Sequence, residues 1–580
     1  MLRSSAGATH KVNIQKQAEF AIQIARRLKR IYKNEFNEAT VNKIIRLCTD
    51  QINTGLYWNE KDIILITYGN VVNSSGEKPL KTLLGFLKSR ISGVFSFIHI
   101  LPFFPSSSDD GFAVKNFFMV DPLLGTWDDI DAISGESNLM ADLVINHVSA
   151  SHPWFRDFLA GVPKFSRFFI EQEQGIDYSG VTRPRNSPLF TRFNTASGEK
   201  YIWTTFSADQ VDLNFSNADV LVEIIRVLLY YLSKKIKIIR LDAVAYIWKR
   251  NGTSCIHLPE AHEIIKLLRD IASYVGSGTI ILTETNVPNM ENWSYFGAND
   301  EAHMVYQFTL PPLLLFTLLK GNANLLTRWT ALIPEPEDDQ TFLNFTASHD
   351  GIGVRPIEDM IDREEMKIFA DSIRASGGLI STKTNTDGSQ APYEFNITYF
   401  DALRTTFDGN STFHESRFIC SQIIMMAMKG IPAFYFQNLF AYTNDYEGVN
   451  QCRKARAINR KRFTKDELTA LLTTNTVHQK IFGVLIKAIE IRKSHPAFHP
   501  GANQQIMNIS DRYFGIIRKN EKTGEIILCI ANVSSKEDKL KYSEIIPEGS
   551  KPVDILSEGE IPVKNNEIVF LPYQVRWVKI

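Results

Sequence analysis

The stretch Ile238-Ile239-Arg240-Leu241-Asp242-Ala243-Val244 decides the fold. Apolar, largely β-branched residues drive an extended strand, and an Arg and an Asp stand together at its end. They are two apart, so strand alternation sends both to one face. A charge inside a strand core is costly unless paired, so Arg240 and Asp242 read either as a structural ion pair or as a strand terminus facing a polar cavity. Two later stretches tip the balance. Thr279-Ile280-Ile281-Leu282-Thr283-Glu284-Thr285-Asn286 and Phe342-Leu343-Asn344-Phe345-Thr346-Ala347-Ser348-His349-Asp350 are both apolar runs of strand length that end in a carboxylate. Alone, each carboxylate reads equally well as a helix cap or a loop charge. Three in chain order, separated by helical stretches, is the arrangement of a barrel whose catalytic groups sit at the C-terminal strand ends.

Working outward, candidate strands fall at 63–68, 94–101, 140–146, 236–242, 279–285, 304–310, 341–348 and 431–436, with helical patterns between them. The clearest helix spans 218–232, where Leu221, Ile224, Ile225, Leu228, Leu229 and Leu232 recur at helical spacing, with Ser216 or Asn217 as its cap. Eight strand–helix repeats predict an α/β fold, a (β/α)8 TIM barrel. Residues 1–55 read as a helical extension ahead of a catalytic barrel over 56–498. The gaps at about 149–212 and 351–412 are too long for plain loops and predict inserted, loop-rich subdomains over the active face. From 499 to 580 the pattern changes to alternating strands, at 512–518, 525–533 and 574–579, and predicts a C-terminal β-sandwich.

The charges balance at 64 basic and 64 acidic residues, so no global field attracts nucleic acid or an anionic membrane. The five cysteines are scattered and lack any C-x-x-C pair, which disfavours a disulfide framework or a zinc site and fits a reducing cytoplasm. The first twenty residues lack an apolar signal core, and no apolar run is long enough to span a bilayer. There is no H-E-x-x-H, phosphate-binding loop or dinucleotide fingerprint, so no cofactor and no metal are expected.

Retaining cleavage of a glycosidic bond needs a carboxylate that attacks the anomeric carbon and a carboxylic acid that protonates the leaving oxygen. Asp242 and Glu284 end consecutive strands, which suits a short nucleophile and a longer proton shuttle. Arg240 would keep Asp242 ionised, and Asp350 would oppose the positive charge of the transition state. His147 and His349 stand beside these strand ends and suit hydrogen bonds to sugar hydroxyls, although a satisfied structural histidine is the commoner fate of such residues.

The strings Asp142-Leu143-Val144-Ile145-Asn146-His147, Ile239-Arg240-Leu241-Asp242-Ala243-Val244, Leu282-Thr283-Glu284 and Ser348-His349-Asp350 resemble, in order, the four signature segments of the α-amylase superfamily. Within it, His99-Ile100-Leu101-Pro102-Phe103-Phe104 and His349-Asp350-Gly351-Ile352-Gly353 resemble the sucrose phosphorylase group. Thr283-Glu284-Thr285-Asn286-Val287-Pro288 and Pro392-Tyr393-Glu394-Phe395-Asn396 look more like the glucosylglycerate phosphorylases of that group. The resemblance implies a nucleophile at Asp242, an acid/base at Glu284 and a transition-state stabiliser at Asp350. It implies donor-sugar contacts from Asp109, His147, Arg240, His349 and Arg456, an aromatic wall at Phe112, and acceptor-side positions at Gln210, Arg183 and Tyr393. For a carboxylated acceptor, Arg183, Arg185, Arg453 and Arg456 are the candidate cations, and inorganic phosphate would seek the same charges.

The implied reaction transfers α-glucosyl from an α-glucoside, foremost 2-O-α-glucosylglycerate, to inorganic phosphate. Sucrose or sucrose 6′-phosphate as substrate, hydrolysis or transglucosylation on the same barrel, and a non-catalytic sugar-binding role stand as alternatives. Both substrates are small molecules, no nucleic acid or membrane partner is expected, and a homodimer is left open.

Overall fold

The computed structural model describes residues 4–48, 52–53, 58–185, 187–337, 339–384, 389–473 and 475–580. Eight parallel strands close into a barrel: β1 (Ile64–Thr67), β2 (Phe97–Ile100), β3 (Asn138–Val144), β4 (Ile238–Asp242), β5 (Ile280–Thr283), β6 (Met304–Tyr306), β7 (Thr341–Phe345) and β8 (Ile431–Tyr435). Each lies within or overlaps one of the expected segments. The expected strand at 304–310 stops at Tyr306, because Pro311 and Pro312 open a helix over Leu310–Lys320. The expected strand at 94–101 starts late, because Val94 still belongs to a turn in which its N–H donates to the Ile91 carbonyl.

Side chains of β4 are buried on both faces, as in β1, β2, β5, β7 and β8, and this is why their sequences read as near-continuous apolar runs. The register carries the chemistry. Arg240 on β4 lies opposite Asp142 on β3 and Leu282 on β5, so the guanidinium and the Asp142 carboxylate share one level of the barrel.

The N-terminal helices α1 (Ser4–Tyr32) and α2 (Glu38–Leu47) pack on the outer barrel helices α4 (Pro259–Val275) and α3 (Ala218–Ser233) respectively. Phe20 stacks on Tyr274 with ring centroids 3.8 Å apart. Arg27 donates to Asp270 at 2.9 Å and to Asp300 at 3.2 Å. Asn217, rather than Ser216, caps α3, accepting from the Asp219 N–H at 3.1 Å.

Two excursions cover the C-terminal rim of the barrel. The first carries a helix over Pro153–Leu159, a hairpin of Phe190–Thr195 with Gly198–Trp203, and a strand Gln210–Asp212 that pairs antiparallel with His147–Ser149. The second carries a helix over Arg363–Ala375 and a small sheet of Ile352–Gly353, Gln390–Asn396 and Leu379–Thr384.

The C-terminal strands form a six-stranded and a three-stranded antiparallel sheet. In the strand Ile526–Asn532, Ile527, Cys529 and Ala531 face the main core, whereas Leu528 and Ile530 join a second core with Ile568 and Phe570. This alternation at period two is what places one sheet between the barrel and the other sheet. Among the described residues, no helix is long and apolar enough to cross a membrane.

Candidate active site

The floor of the site is built by β3 and β4. Arg240 donates through Nη1 to Asp142 Oδ1 and to Asp242 Oδ1, the latter at 2.7 Å, and its Nη2 lies 3.9 Å from Glu284 Oε1. One buried guanidinium thus reaches the carboxylates of three successive strands. Asp142 is held from its other side by His99 Nε2 at 2.8 Å. Burial alone would raise the Asp142 carboxyl, but His99 and Arg240 bring it to about 2. The ring of Tyr306 lies 5.6 Å from the Arg240 guanidinium and completes its enclosure.

Immediately after Asp242 the chain turns sharply. Ala243 sits at φ 50°, a left-handed conformation that costs a non-glycine residue of order 1 kcal/mol or more, and its N–H donates to Glu284 Oε2 at 3.0 Å. The turn ties the two carboxylates together on one rim. Burial raises the Glu284 carboxyl to about 7, with the Asp242 and Asp350 charges adding to the rise against the pull of Arg240. Burial raises Asp242 as well, but its direct bond to Arg240 makes it the first of the pair to ionise. An ionised Asp beside a neutral Glu is the division of labour that two-step glycosyl transfer requires.

Asp350 follows β7. Burial would raise it, but Arg456, with Arg460 3.6 Å away, holds it well below the usual carboxylate range. Arg456 is itself gripped by Glu394, which accepts from Nε at 2.9 Å and from Nη2. Gly351 makes this grip feasible, since a Cβ there would come within 2.5 Å of the Glu394 side chain. Asn459 donates to the Ser348 and Asp350 carbonyls, and Arg460 Nε donates to the His349 carbonyl, so the loop at 456–460 fixes the Asp350 segment.

Phe112 and His349 stack with centroids 4.9 Å apart. Burial pushes His349 down to about 3, so the ring is neutral, and its Nδ1 is buried without a partner among the described residues. His147 Nε2 is 3.0 Å from the Phe112 carbonyl and 3.1 Å from Gln210 Nε2, while Gln210 also reaches Asp109 at 3.3 Å. Asp109 and Asp110 both sit in left-handed backbone, at φ 54° and 50°, which turns Asp109 into the site. Behind His147, Lys249 donates to Asn146 at 2.7 Å and lies 2.6 Å from Asp212, a buried tie that pins the strand carrying His147.

Asp109, Phe112, His147, Gln210, Asp242, Glu284, His349, Asp350, Glu394 and Arg456, with Tyr393, Arg185, Phe206, Tyr246 and Asn286, line one cavity on the C-terminal rim. The structure therefore brings together Asp242, Glu284, Asp350, Asp109, Phe112, His147, His349, Arg456, Gln210 and Tyr393, with Arg240 directly beneath. It does not bring Arg183 there. That side chain is exposed and outside the cavity wall, and Arg185, two residues on, lines the cavity 3.8 Å from Asp109. Arg453 is likewise exposed and outside the wall, in the left-handed C-cap of the helix Tyr446–Cys452.

Sequence reasoning did not single out Glu394, Tyr246, Phe206 or Asn286. The one available signal was a Glu between Tyr393 and Phe395 in a strand pattern, where a buried carboxylate demands a cation. Its cation lies 62 residues away, beyond any local spacing rule.

Residues 92–348 match the family model of the α-amylase catalytic domain. The chain is 45% identical over 482 residues to a glucosylglycerate phosphorylase of Allomeiothermus silvanus, covering 83% of this chain and 86% of that one. It is 40% identical over 562 residues to a glucosylglycerate phosphorylase of Escherichia coli, covering 95% and 99%. The chain belongs to the α-amylase superfamily, within its glycoside phosphorylase group. A solved structure of sucrose 6F-phosphate phosphorylase from Thermoanaerobacter thermosaccharolyticum superposes with a TM-score of 0.72 at 25% identity, covering 88% of this chain and 98% of that one. This member of the superfamily thus shares the architecture of that phosphorylase along most of its length.

Proposed function

We propose that the protein is a retaining glycoside phosphorylase that transfers the α-glucosyl group of 2-O-α-glucosylglycerate to inorganic phosphate, yielding α-glucose 1-phosphate and glycerate. Asp242 attacks the anomeric carbon while neutral Glu284 donates its proton to the departing glycerate oxygen, leaving a β-glucosyl ester on Asp242. Hydrogen phosphate then enters the acceptor side and its hydroxyl oxygen attacks the same carbon. Its proton passes to the Glu284 carboxylate, Asp242 departs, and the configuration is retained. Asp350, kept ionised by Arg456, opposes the charge that develops on the ring. Phe112 and His349 bound the sugar, and Asp109 and His147 accept and donate at its hydroxyls.

The observation that carries this reading is the pairing of a Glu284 carboxyl raised to about 7 with an arginine-bonded Asp242 on one rim. Phosphate rather than water as acceptor is supported by the whole-length likeness to phosphorylases and by Arg185 in the acceptor wall. Phosphate as co-substrate and the exposed free thiol of Cys452 suit a cytoplasmic setting. The test supplies glucosylglycerate with and without phosphate. Glucose 1-phosphate should form only with phosphate, and free glucose released equally fast in both would refute phosphorolysis. Sucrose and sucrose 6′-phosphate should be turned over far more slowly.

A further inference from the structure

Glycerate differs from a neutral acceptor by one carboxylate, and a buried carboxylate needs a cation with donors to spare. Arg456 has its charge already matched, because its Nε and Nη2 are bound to Glu394 and its Nη1 to Asp350. Arg240 is committed below the site to Asp142 and Asp242. Arg185, in the acceptor wall 3.8 Å from Asp109, is the cation assigned to the incoming phosphate.

Arg355 is placed differently. Its backbone is tied to the acceptor excursion, since the preceding Val354 N–H donates to the Tyr393 carbonyl at 3.1 Å and Gly353 pairs with Glu394. Gly353 also presses on Asn286 in the loop that follows Glu284, where a Cβ would come within 2.4 Å of the amide. Arg355 therefore stands where the loops bearing Glu284 and Tyr393 meet. The Arg355 charge bears on the hydroxyl of Tyr246, drawing it down against the rise that burial imposes, and Tyr246 lines the cavity with Arg355 just behind that wall. Among the described residues, the one carboxylate within 4 Å of it is Glu291, at 3.8 Å. That is too long for a hydrogen bond, and the Glu291 side chain is 45% exposed, so this pairing is weak. The charge is only a quarter exposed, no carboxylate among the described residues holds its planar fork closely, and its backbone is tied to the loops that bear Glu284 and Tyr393.

We propose that Arg355, together with the hydroxyl of Tyr246, forms the subsite that binds the carboxylate of the acceptor and so separates glucosylglycerate from neutral glucosides. The inference rests on the proposed substrate. A carboxylate docked there receives a bidentate pair of N–H donors, whereas a neutral primary alcohol receives one weaker bond and leaves the cation half satisfied. Selectivity comes as much from that deficit as from the attraction.

The experiment measures kcat/KM of the full-length protein for 2-O-α-glucosylglycerate and for glucosylglycerol, and KM for phosphate with each. Wild type, Arg355→Gln, Arg355→Lys and Tyr246→Phe are compared. The ratio of the two kcat/KM values is read within each preparation, so an inactive fraction does not distort it. We expect Arg355→Gln to lower the ratio by about tenfold to a hundredfold, from a lost charged hydrogen bond of about 1.5–3 kcal/mol. Arg355→Lys, which keeps the charge but loses the fork, should fall between it and wild type, and Tyr246→Phe should lower the ratio severalfold. A ratio within twofold of wild type in Arg355→Gln would overturn the subsite and leave the substrate standing. A rise in phosphate KM with both glucosides and no change in ratio would overturn it too, by making Arg355 a phosphate contact. A wild type with no preference for glucosylglycerate would instead remove the substrate reading itself.

Discussion

The two sides of the cavity are built on opposite plans. On the donor side every charge is tied down: Arg240 to Asp142 and Asp242, Arg456 to Glu394 and Asp350, and Arg460 to Asp110. Asp142, Arg240 and Asp242 stand on barrel strands whose register fixes them to one another, and Arg456, Arg460 and Glu394 close on Asp350 from segments beyond the strands. On the acceptor side, Arg185 and Arg355 have their nearest carboxylates at 3.8 Å and come from excursions or from loops tied to them. A reaction that never changes, attack at one anomeric carbon, is served by a preorganised network. On the proposed function, an acceptor position that releases glycerate and admits phosphate is served by cations with no close carboxylate.

The contrast can be broken or sharpened by substitution. The largest effect belongs to Asp242→Ala, which should abolish phosphorolysis by about 10⁴-fold or more in a glucose 1-phosphate release assay, since no other carboxylate can form the ester. Next is Glu284→Gln, which should cost about 10²–10⁴-fold on glucosylglycerate and far less on an aryl α-glucoside, whose leaving group needs no proton. The sign of its pH dependence follows from the raised carboxyl. In wild type the acid form prevails below about 7 and is lost as pH rises through that value, so kcat/KM for glucosylglycerate falls on the alkaline side. The Gln variant should lack that limb, and its persistence would assign it to another group.

Glu394→Gln should loosen Arg456 and lower kcat/KM by about tenfold to a hundredfold through misplacement of Asp350. A smaller loss than that of Arg185→Gln would contradict the idea that the donor side is the rigid one. Arg185→Gln should raise the phosphate KM by about tenfold with little change in the glycosylation step, as steady-state kinetics at varied phosphate would reveal. Arg453→Ala should stay within about twofold of wild type in the same assay, because its side chain lies outside the wall.

The barrel was legible because its strands are buried on both faces, and such strands must be written as unbroken apolar runs with charges held back to their ends. For the same reason Asp242, Glu284 and Asp350 stood out as three acidic punctuation marks. Helix α3 was legible by its period and cap. The expected strand at 304–310 overran because Phe308, Leu310 and the leucines beyond are apolar in either conformation, and the two prolines decide for helix. The acceptor wall was far less legible. Arg183 and Arg185 are equivalent in a sequence, two cations around one proline, and only the path of the excursion exposes one and turns the other inward.

Sequence alone therefore determined the eight strands and the placing of three carboxylates at strand ends, because burial period and charge placement are local and written residue by residue, while the chemical class came from the likeness to a family. Tertiary structure decided that Glu394 grips Arg456, that Ala243 ties Asp242 to Glu284, and that Arg355 rather than Arg183 or Arg453 stands behind Tyr246. Those partners are separated by tens of residues, and a long flexible arginine declares its carboxylate only when packing has fixed where both can reach.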